Sequence, residues 1–532
     1  MFPQALCRLH QAIGIAETRI GLLLPSALFA LFVYIFTSRL TRRSVKAPVV
    51  GHRSVLEPGW LVGYRFTIEG RNMLRQGYQK FRDKIFKVRC NGLEVVLLPH
   101  RYIDELHNVP EEKASPPQAL FNKGLGHYVH MNIILESRLH VQIVQQRLTP
   151  NLVSIMPQLQ QELDFALEEE LPHCRTDEWV SVNVQDLMAR LVGRLSARVL
   201  AGRELCRNEE WLSASVHHSG HAFATSMTLR MVPGWMRPIV APLIPFYWQA
   251  RSDLATAKRL VGALVERRRV AEAQQGDAYV KPNDLLQWMM DEAGGDNGTP
   301  HKLAHRLLFV SDASVLTTGI LTTHFLLDLC AHPQYLNPLL AEITDVMREG
   351  GNFQKTMVHK MVRLDSFLKE CQRMNPTFLM TFDRVLKAPM TLSDGTRLPK
   401  NTHIAVPTDA MLHDPAYLPG GGDPNSFDPF RYARLREQPE NAHRYQLATT
   451  DSTSLAFGHG KHACPGRFFA SSEAKLLLCN LLLRYEIRLP DGQTRPRNLL
   501  VAENLVPDPS ARLLFRKRDD DEIPRDLRNL GA

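Results

Sequence analysis

A mainly α-helical fold with small β-sheets is predicted by three features of the sequence. Between about 135 and 345, apolar residues recur at three-to-four spacing, the period of a helix with one buried face. Residues 55–110 and 380–410 instead hold short apolar runs broken by turn residues, which gives a few strands and no large sheet. No shift in composition divides the chain beyond its N-terminal segment, so the rest reads as one large domain. The 532 residues are 44% hydrophobic and 22% charged, enough for a sizeable core. These values exclude a disordered polyelectrolyte, a collagen-like chain and a multi-span membrane protein. The formal charge of +9 is modest for the length. It leaves room for a basic patch facing an acidic partner, and no nucleic-acid partner is expected.

The first element is a membrane anchor. Ile20 to Ser38 is an uncharged run of 19 residues, about the length a helix needs to cross a bilayer core. Arg39, Arg42, Arg43 and Lys46 follow at once, so this side stays cytosolic. The expected organisation is a tail and transmembrane anchor over 1–38, a basic, proline-containing linker over 39–53, and the globular body over 54–532. In the body, FKVRC (86–90) and EVVLLP (94–99) read as strands, and the long helical region follows. GWMRPIVAPLIPFYW (234–248) interrupts it. This stretch is either a buried loop or a surface loop dipping into the same membrane. His301 to Ala331 reads as one long apolar helix stopped at His332-Pro333, and residues 466–484 as another.

Eight cysteines, at 7, 90, 174, 206, 330, 371, 464 and 479, form no C-x-x-C and no disulfide framework. One stands in a special context. Residues 457–466 read FGHGKHACPG, with Phe457, Gly460, His462, Cys464 and Gly466 just before an apolar helix. A glycine-rich loop lets backbone N–H groups approach the sulfur, and the following helix N-terminus adds positive dipole charge; both favour a thiolate. Gly466 lets a flat cofactor lie against the backbone, and Phe457 can cover the sulfur. Such a thiolate suits axial ligation of haem iron.

With Glu370-x-x-Arg373 ahead of this loop and Pro429-Phe430-Arg431-Tyr432 between them, the sequence resembles the cytochrome P450 haem-thiolate family along the whole body. The resemblance implies the P450 fold, haem b (iron protoporphyrin IX), and Cys464 as the axial iron ligand. It implies a buried structural cluster of Glu370, Arg373 and Arg431, and haem-propionate contacts from Arg384, His462 and, counting back from Leu148-Thr149-Pro150, Gln145. His462 and Gln145 stand where arginines are usual, so Arg384 carries more of that task. Thr317, fifteen residues before His332, occupies the family's oxygen-activating position. There the pattern breaks: Ser314 replaces a glycine and Leu316 replaces the acid that relays protons. Ser314 is a candidate to hold a water. Asp312 lies about 140° around the helix from Thr317 and should point elsewhere.

His217, His218 and His221 lack the H-E-x-x-H pattern and a third ligand, and Gly124-x-Gly126 lacks a third glycine, so neither a zinc site nor a dinucleotide site is expected. No flavin region is fused to the chain. The resemblance therefore implies an external NADPH-cytochrome P450 reductase, with cytochrome b5 as a second donor, docking on Lys461, Arg467 and their neighbours. FGHGKHACPGRFFA and the DLCAHP helix end are similar to fungal endoplasmic-reticulum members of secondary metabolism, including the ent-kaurene-oxidase-like group. This implies a single-pass endoplasmic-reticulum enzyme, its catalytic domain cytosolic, that oxidises a lipophilic terpenoid or polyketide intermediate. The alternative is desaturation, ring expansion or rearrangement without net oxygen insertion. The pocket is expected to draw on 115–135, 223–248, Ala313, 377–381 and Asn504, with Phe121, Phe378, Leu379 and Met380 as apolar lining.

Overall fold

The computed structural model describes residues 45–519, apart from 55, 56, 58, 91 and 351–354. The expected membrane anchor at 20–38 lies outside the described residues. Helix α1 (Gly59–Lys80) leads into strands β1 (Phe86–Cys90) and β2 (Leu93–Leu97), the two runs read as strands from the sequence. Strand β3 (Ala114–Ser115) precedes helix α2 (Pro116–Lys123). Then come helices α3 (Leu152–Glu170), α4 (Val184–Ala201), α5 (Glu209–Arg230), α6 (Pro245–Gln275), α7 (Pro300–Ala331) and α8 (Val362–Met374). Strands β4 (Thr381–Leu386) and β5 (His403–Val406) follow, and helix α9 (Arg467–Arg484) leaves the cysteine loop.

Local chemistry sets the helix ends. The Asn183 side chain accepts N–H groups of Gln185 and Asp186 at the start of α4, and Asn208 accepts the Trp211 N–H at the start of α5. Helix α7 begins at a proline, where the missing N–H costs nothing, and stops at His332 before Pro333. It is long and apolar enough to cross a membrane, yet most of it is buried inside the protein. It is the core helix: α4, α5, α6, α8 and α9 all pack against it. Phe325 on α7 meets Phe367 on α8 at 4.7 Å between ring centroids.

The main sheet has the order β1-β2-β5-β4-β3. β1 and β2 form an antiparallel hairpin, β2 and β5 run parallel, and β4 pairs antiparallel with both β5 and β3. The β4–β5 register shifts between Thr381 and Arg384, and Phe382 there has φ of 60°. A bulge of this kind turns a strand and re-aims the next side chain; here that side chain is Arg384.

The segment 234–248 resolves into a short helix (Arg237–Val240), a 3-10 turn (Ala241–Leu243) and the start of α6. The buried-loop expectation is wrong for most of it. Trp235 is 75% exposed and Leu243 75%, and Ile239, Phe246 and Trp248 are exposed as well. The prolines lie at helix starts here, where the missing N–H costs nothing. A Cβ placed on Gly92, in the β1–β2 turn, would lie 3.1 Å from the Arg237 guanidinium. This segment therefore sits beside the turn of the first hairpin.

Candidate active site

The cysteine loop is built by its backbone. The Cys464 N–H donates to the Phe457 carbonyl at 2.7 Å, closing the loop. Gly458 and Gly460 have φ of 68° and 73°, in the left-handed region. At Gly460 a Cβ would stand 2.4 Å from the His107 carbonyl oxygen, so only glycine fits. A Cβ on Gly466 would meet nothing within 4 Å. The Cys464 thiol is raised by burial, which backbone N–H groups of Gly466 and Arg467 and the Arg467 charge oppose. Among the described cysteines, only Cys464 has backbone N–H groups acting on its sulfur in this way. The neighbouring Phe457 is half-buried and packs on the helical core.

Arg384 is 5% exposed. Its Nη1 donates to the Asp383 carbonyl at 2.8 Å, and its guanidinium lies over the Phe382 ring at 4.4 Å. Its Nη2 is buried and has no hydrogen-bond partner. Burial holds its pKa down to about 10, with Asp383 opposing. A buried guanidinium with an unused N–H pair is a ready receptor for a carboxylate. His462 Nε2 donates to the Val109 carbonyl at 2.9 Å, which fixes that nitrogen as the N–H. Burial lowers its pKa; the Val109 bond opposes, and the charges of Arg384, Arg138 and Lys461 lower it further. His462 and Arg384 therefore share one basic neighbourhood, with His462 neutral at pH 7. Arg138 belongs to the same neighbourhood and was not anticipated from the sequence. Gln145 is exposed on a one-turn π-helical segment, Val144–Leu148.

Thr317 lies on α7, half-buried, its hydroxyl donating to the Ala313 carbonyl at 2.8 Å. Ala313 is exposed in the middle of this otherwise buried helix. There α7 borders an internal space. The Thr317 proton is tied to Ala313, so the lone pairs of its oxygen are free to accept. Ser314 does not serve as an isolated water holder. Its hydroxyl lies 2.8 Å from Ser196 Oγ on α4 and 3.5 Å from Glu473 Oε2 on α9. Asp312 faces α5, as expected, and accepts from His218 Nδ1 at 2.6 Å. His221 donates to Asp253 at 2.7 Å. The histidines of α5 are thus held by carboxylates and do not converge on a metal. Among the described residues, Asp104, His107 and His459 come closest to a metal-ligand spacing, and two of them use ring nitrogens on Asp104 O, Asn108 and Thr450.

The α8 cluster is complete. Arg373 binds Glu370 bidentately at 2.8 and 2.7 Å, and donates to the carbonyls of Pro424 and Ser426. Glu370 has no exposed surface. Arg431 approaches it at 3.8 Å and donates to the Gly421 carbonyl. The backbone at Gly421, Pro424 and Ser426 is therefore fixed to one side of α8.

Phe121, Leu379 and Met380 pack in the core; Phe378 is 37% exposed and bridges to Asn504. Arg467 donates to the Cys464 carbonyl at 2.9 Å and lies over Phe468. Lys461 is exposed.

The residues present fit a haem. The thiol meets backbone N–H groups, Gly466 opens onto space, Ala313 faces a void, and Arg384 has an orphaned N–H group aimed where nothing in the protein accepts it.

A half-buried thiol at the start of α9, with the threonine-bearing α7 packed on that helix, is the pair of groups a haem-thiolate site needs. The family model for cytochrome P450 matches residues 54–515, and the chain belongs to that family. It is 49% identical over 476 residues to a cytochrome P450 monooxygenase of Emericella nidulans, covering 90% of this chain and 88% of that one. It is 45% identical over 504 residues to the monooxygenase olcJ of Penicillium canescens, covering 94% of each. An ent-kaurene oxidase of Gibberella intermedia is 44% identical over 475 residues, 89% of each chain. The chain is a haem-thiolate monooxygenase, an oxidoreductase that binds haem b.

Removing one partner from the α8 cluster leaves a buried uncompensated charge. Glu370→Ala is expected to cost about 3–5 kcal/mol, read as a lower urea midpoint by circular dichroism. A midpoint within experimental error of the parent would show that the cluster does not hold the fold.

Proposed function

We propose that this chain is a membrane-anchored monooxygenase that oxidises a lipophilic terpenoid or polyketide intermediate of fungal secondary metabolism, with Cys464 as the axial ligand. The organisation proposed is an anchor over 1–38, a linker over 39–53 and the catalytic domain over 54–532, cytosolic at the endoplasmic reticulum. The observation that carries the reading is the cysteine loop itself. It offers a thiol at the start of α9, with N–H groups of Gly466 and Arg467 acting on the sulfur, while α7 packs on α9. The exposed apolar segment around Trp235, Ile239 and Leu243 supports a membrane-facing side, through which an apolar substrate would enter. Relatives named as ent-kaurene oxidases support a terpenoid-sized substrate.

Haem, when bound, supplies the activation of dioxygen. The chain supplies the rest. The loop N–H groups stabilise thiolate charge, and Phe457 limits water at the sulfur. Arg384 would take a propionate on its free Nη2, with neutral His462 and Arg138 beside it. Thr317 Oγ1 accepts a hydrogen bond on the α7 side of the space. Electrons come from an NADPH-cytochrome P450 reductase or cytochrome b5, with Lys461 among the docking cations, where rim charge mainly raises association rate.

Two outcomes test this. Expressed with a reductase and fed candidate precursors under oxygen-18 gas, the chain should give a new product carrying label. A changed product without label, after exchange of carbonyl oxygen is excluded, would replace hydroxylation by desaturation or rearrangement. Arg384→Ala should lower haem retention through gel filtration about tenfold, the loss of one charge-assisted bond of about 1.5–3 kcal/mol, with Arg384→Lys intermediate. Equal haem content in all three proteins would remove Arg384 from the propionate site.

A further inference from the structure

Nine carboxylates are buried among the described residues: Glu162, Asp284, Asp328, Asp365, Glu370, Asp409, Asp414, Glu473 and Glu503. Eight have an arginine or lysine at ion-pair distance. Glu473 has none. It lies on α9 with no exposed surface, and its only hydrogen-bond partners are two hydroxyls. Oε1 is 2.9 Å from Ser196 Oγ, Oε2 is 3.5 Å from Ser314 Oγ, and the two serine oxygens are 2.8 Å apart. An unpaired ionised carboxylate in such a place is too costly; the neutral acid, which donates a hydrogen bond, is the form that fits. Burial pushes its pKa up to about 8, with the two serine bonds opposing and no charged group contributing.

The position of Ser314 gives the acid a direction. Ser314 is one turn before Thr317, and residues three apart on a helix are neighbours on its surface. The next turn lacks the expected carboxylate, since residue 316 is leucine. The same turn of α7 thus loses an acid at 316 and has a hydroxyl at 314, where the resemblance leads one to expect glycine, and that hydroxyl reaches an acid on another helix.

We propose that Glu473, through Ser196 and Ser314, supplies protons to the Thr317 side of α7 in place of the acid missing at 316. The inference rests on the haem-thiolate reading. In each transfer the Glu473 O–H bond breaks and its proton goes to a serine Oγ. When that serine is Ser196, its own hydroxyl proton passes to Ser314 Oγ, and in either case the Ser314 hydroxyl proton passes on to a water in the space beside Thr317. No electrons move in the relay. The Glu473 carboxylate recovers its proton from bulk water before the next cycle. Glu473 and Ser196 act through other groups and are positioning residues; Ser314 is the last protein atom in the relay.

The test uses the haem-loaded full-length chain and three variants: Glu473→Gln, which keeps size and hydrogen bonds but removes the acid; Ser314→Ala, which removes the last hydroxyl; and Glu473→Gln with Leu316→Asp, which returns an acid to the usual position. Infrared spectra of the resting protein at pH 7 should show a protonated-carboxyl band that shifts in deuterium oxide and is absent from Glu473→Gln. With reductase, product formed per NADPH should fall about tenfold or more in both single variants, with the balance released as hydrogen peroxide. The solvent deuterium isotope effect should change with it, and Leu316→Asp should restore most of the coupling. A merely structural role would lower haem content and leave coupling per haem and the isotope effect unmoved. Absence of the infrared band, or coupling and isotope effect within twofold of the parent in Ser314→Ala, overturns the relay. A parent chain without a thiolate-ligated haem spectrum overturns the haem reading and the relay with it.

Discussion

The active site depends on the burial of α7. The long helices α4, α5, α6, α8 and α9 all pack around it, and most of the side chains along its length are buried. Where the surround opens, at Ala313, the helix meets a space large enough to expose an alanine in the protein interior. Thr317 is on the next turn. Because α9 packs on the same helix and begins at the cysteine loop, the two chemical groups are fixed by helix–helix packing rather than by mobile loops. Interiors are packed nearly as densely as crystals, so that geometry has little freedom to drift.

The loop below depends on two further constraints. Backbone is brought against backbone at Gly460, where any side chain would collide with His107, and this sets the direction in which the chain enters Cys464. The charged cluster on α8 then holds the segments that lead toward that loop, with Arg373 bound to Glu370 and to two carbonyls. A cluster this deeply buried gives little net stability over an apolar one, but it is costly to break. It fixes the backbone at Gly421, Pro424 and Ser426 against α8.

The sequence made legible whatever is encoded locally. Helix α7 was read from His301 to the stop at His332-Pro333, one residue short of its start at Pro300, strands β1 and β2 from their apolar runs, and the cysteine loop and the Glu370-x-x-Arg373 pair from spacings of a few residues. What it hid depends on distant partners. Ser314, Ser196 and Glu473 are separated by 118 and 159 residues from one another along the chain, and no local pattern joins them. The β4 bulge that turns Arg384 inward is a property of strand pairing with β5, invisible in β4 alone. Phe121, Leu379 and Met380 are apolar in the same way whether they line a pocket or fill a core, so composition could not separate the two.

The central claim is that Cys464 is a thiolate ligand to haem iron. The ferrous–carbon monoxide difference spectrum of the parent chain and of Cys464→Ser tests it most directly. The account predicts the red-shifted thiolate Soret band in the parent and its loss in the variant. A thiolate band that survives in Cys464→Ser, or a parent spectrum of the histidine-ligated type, would contradict it.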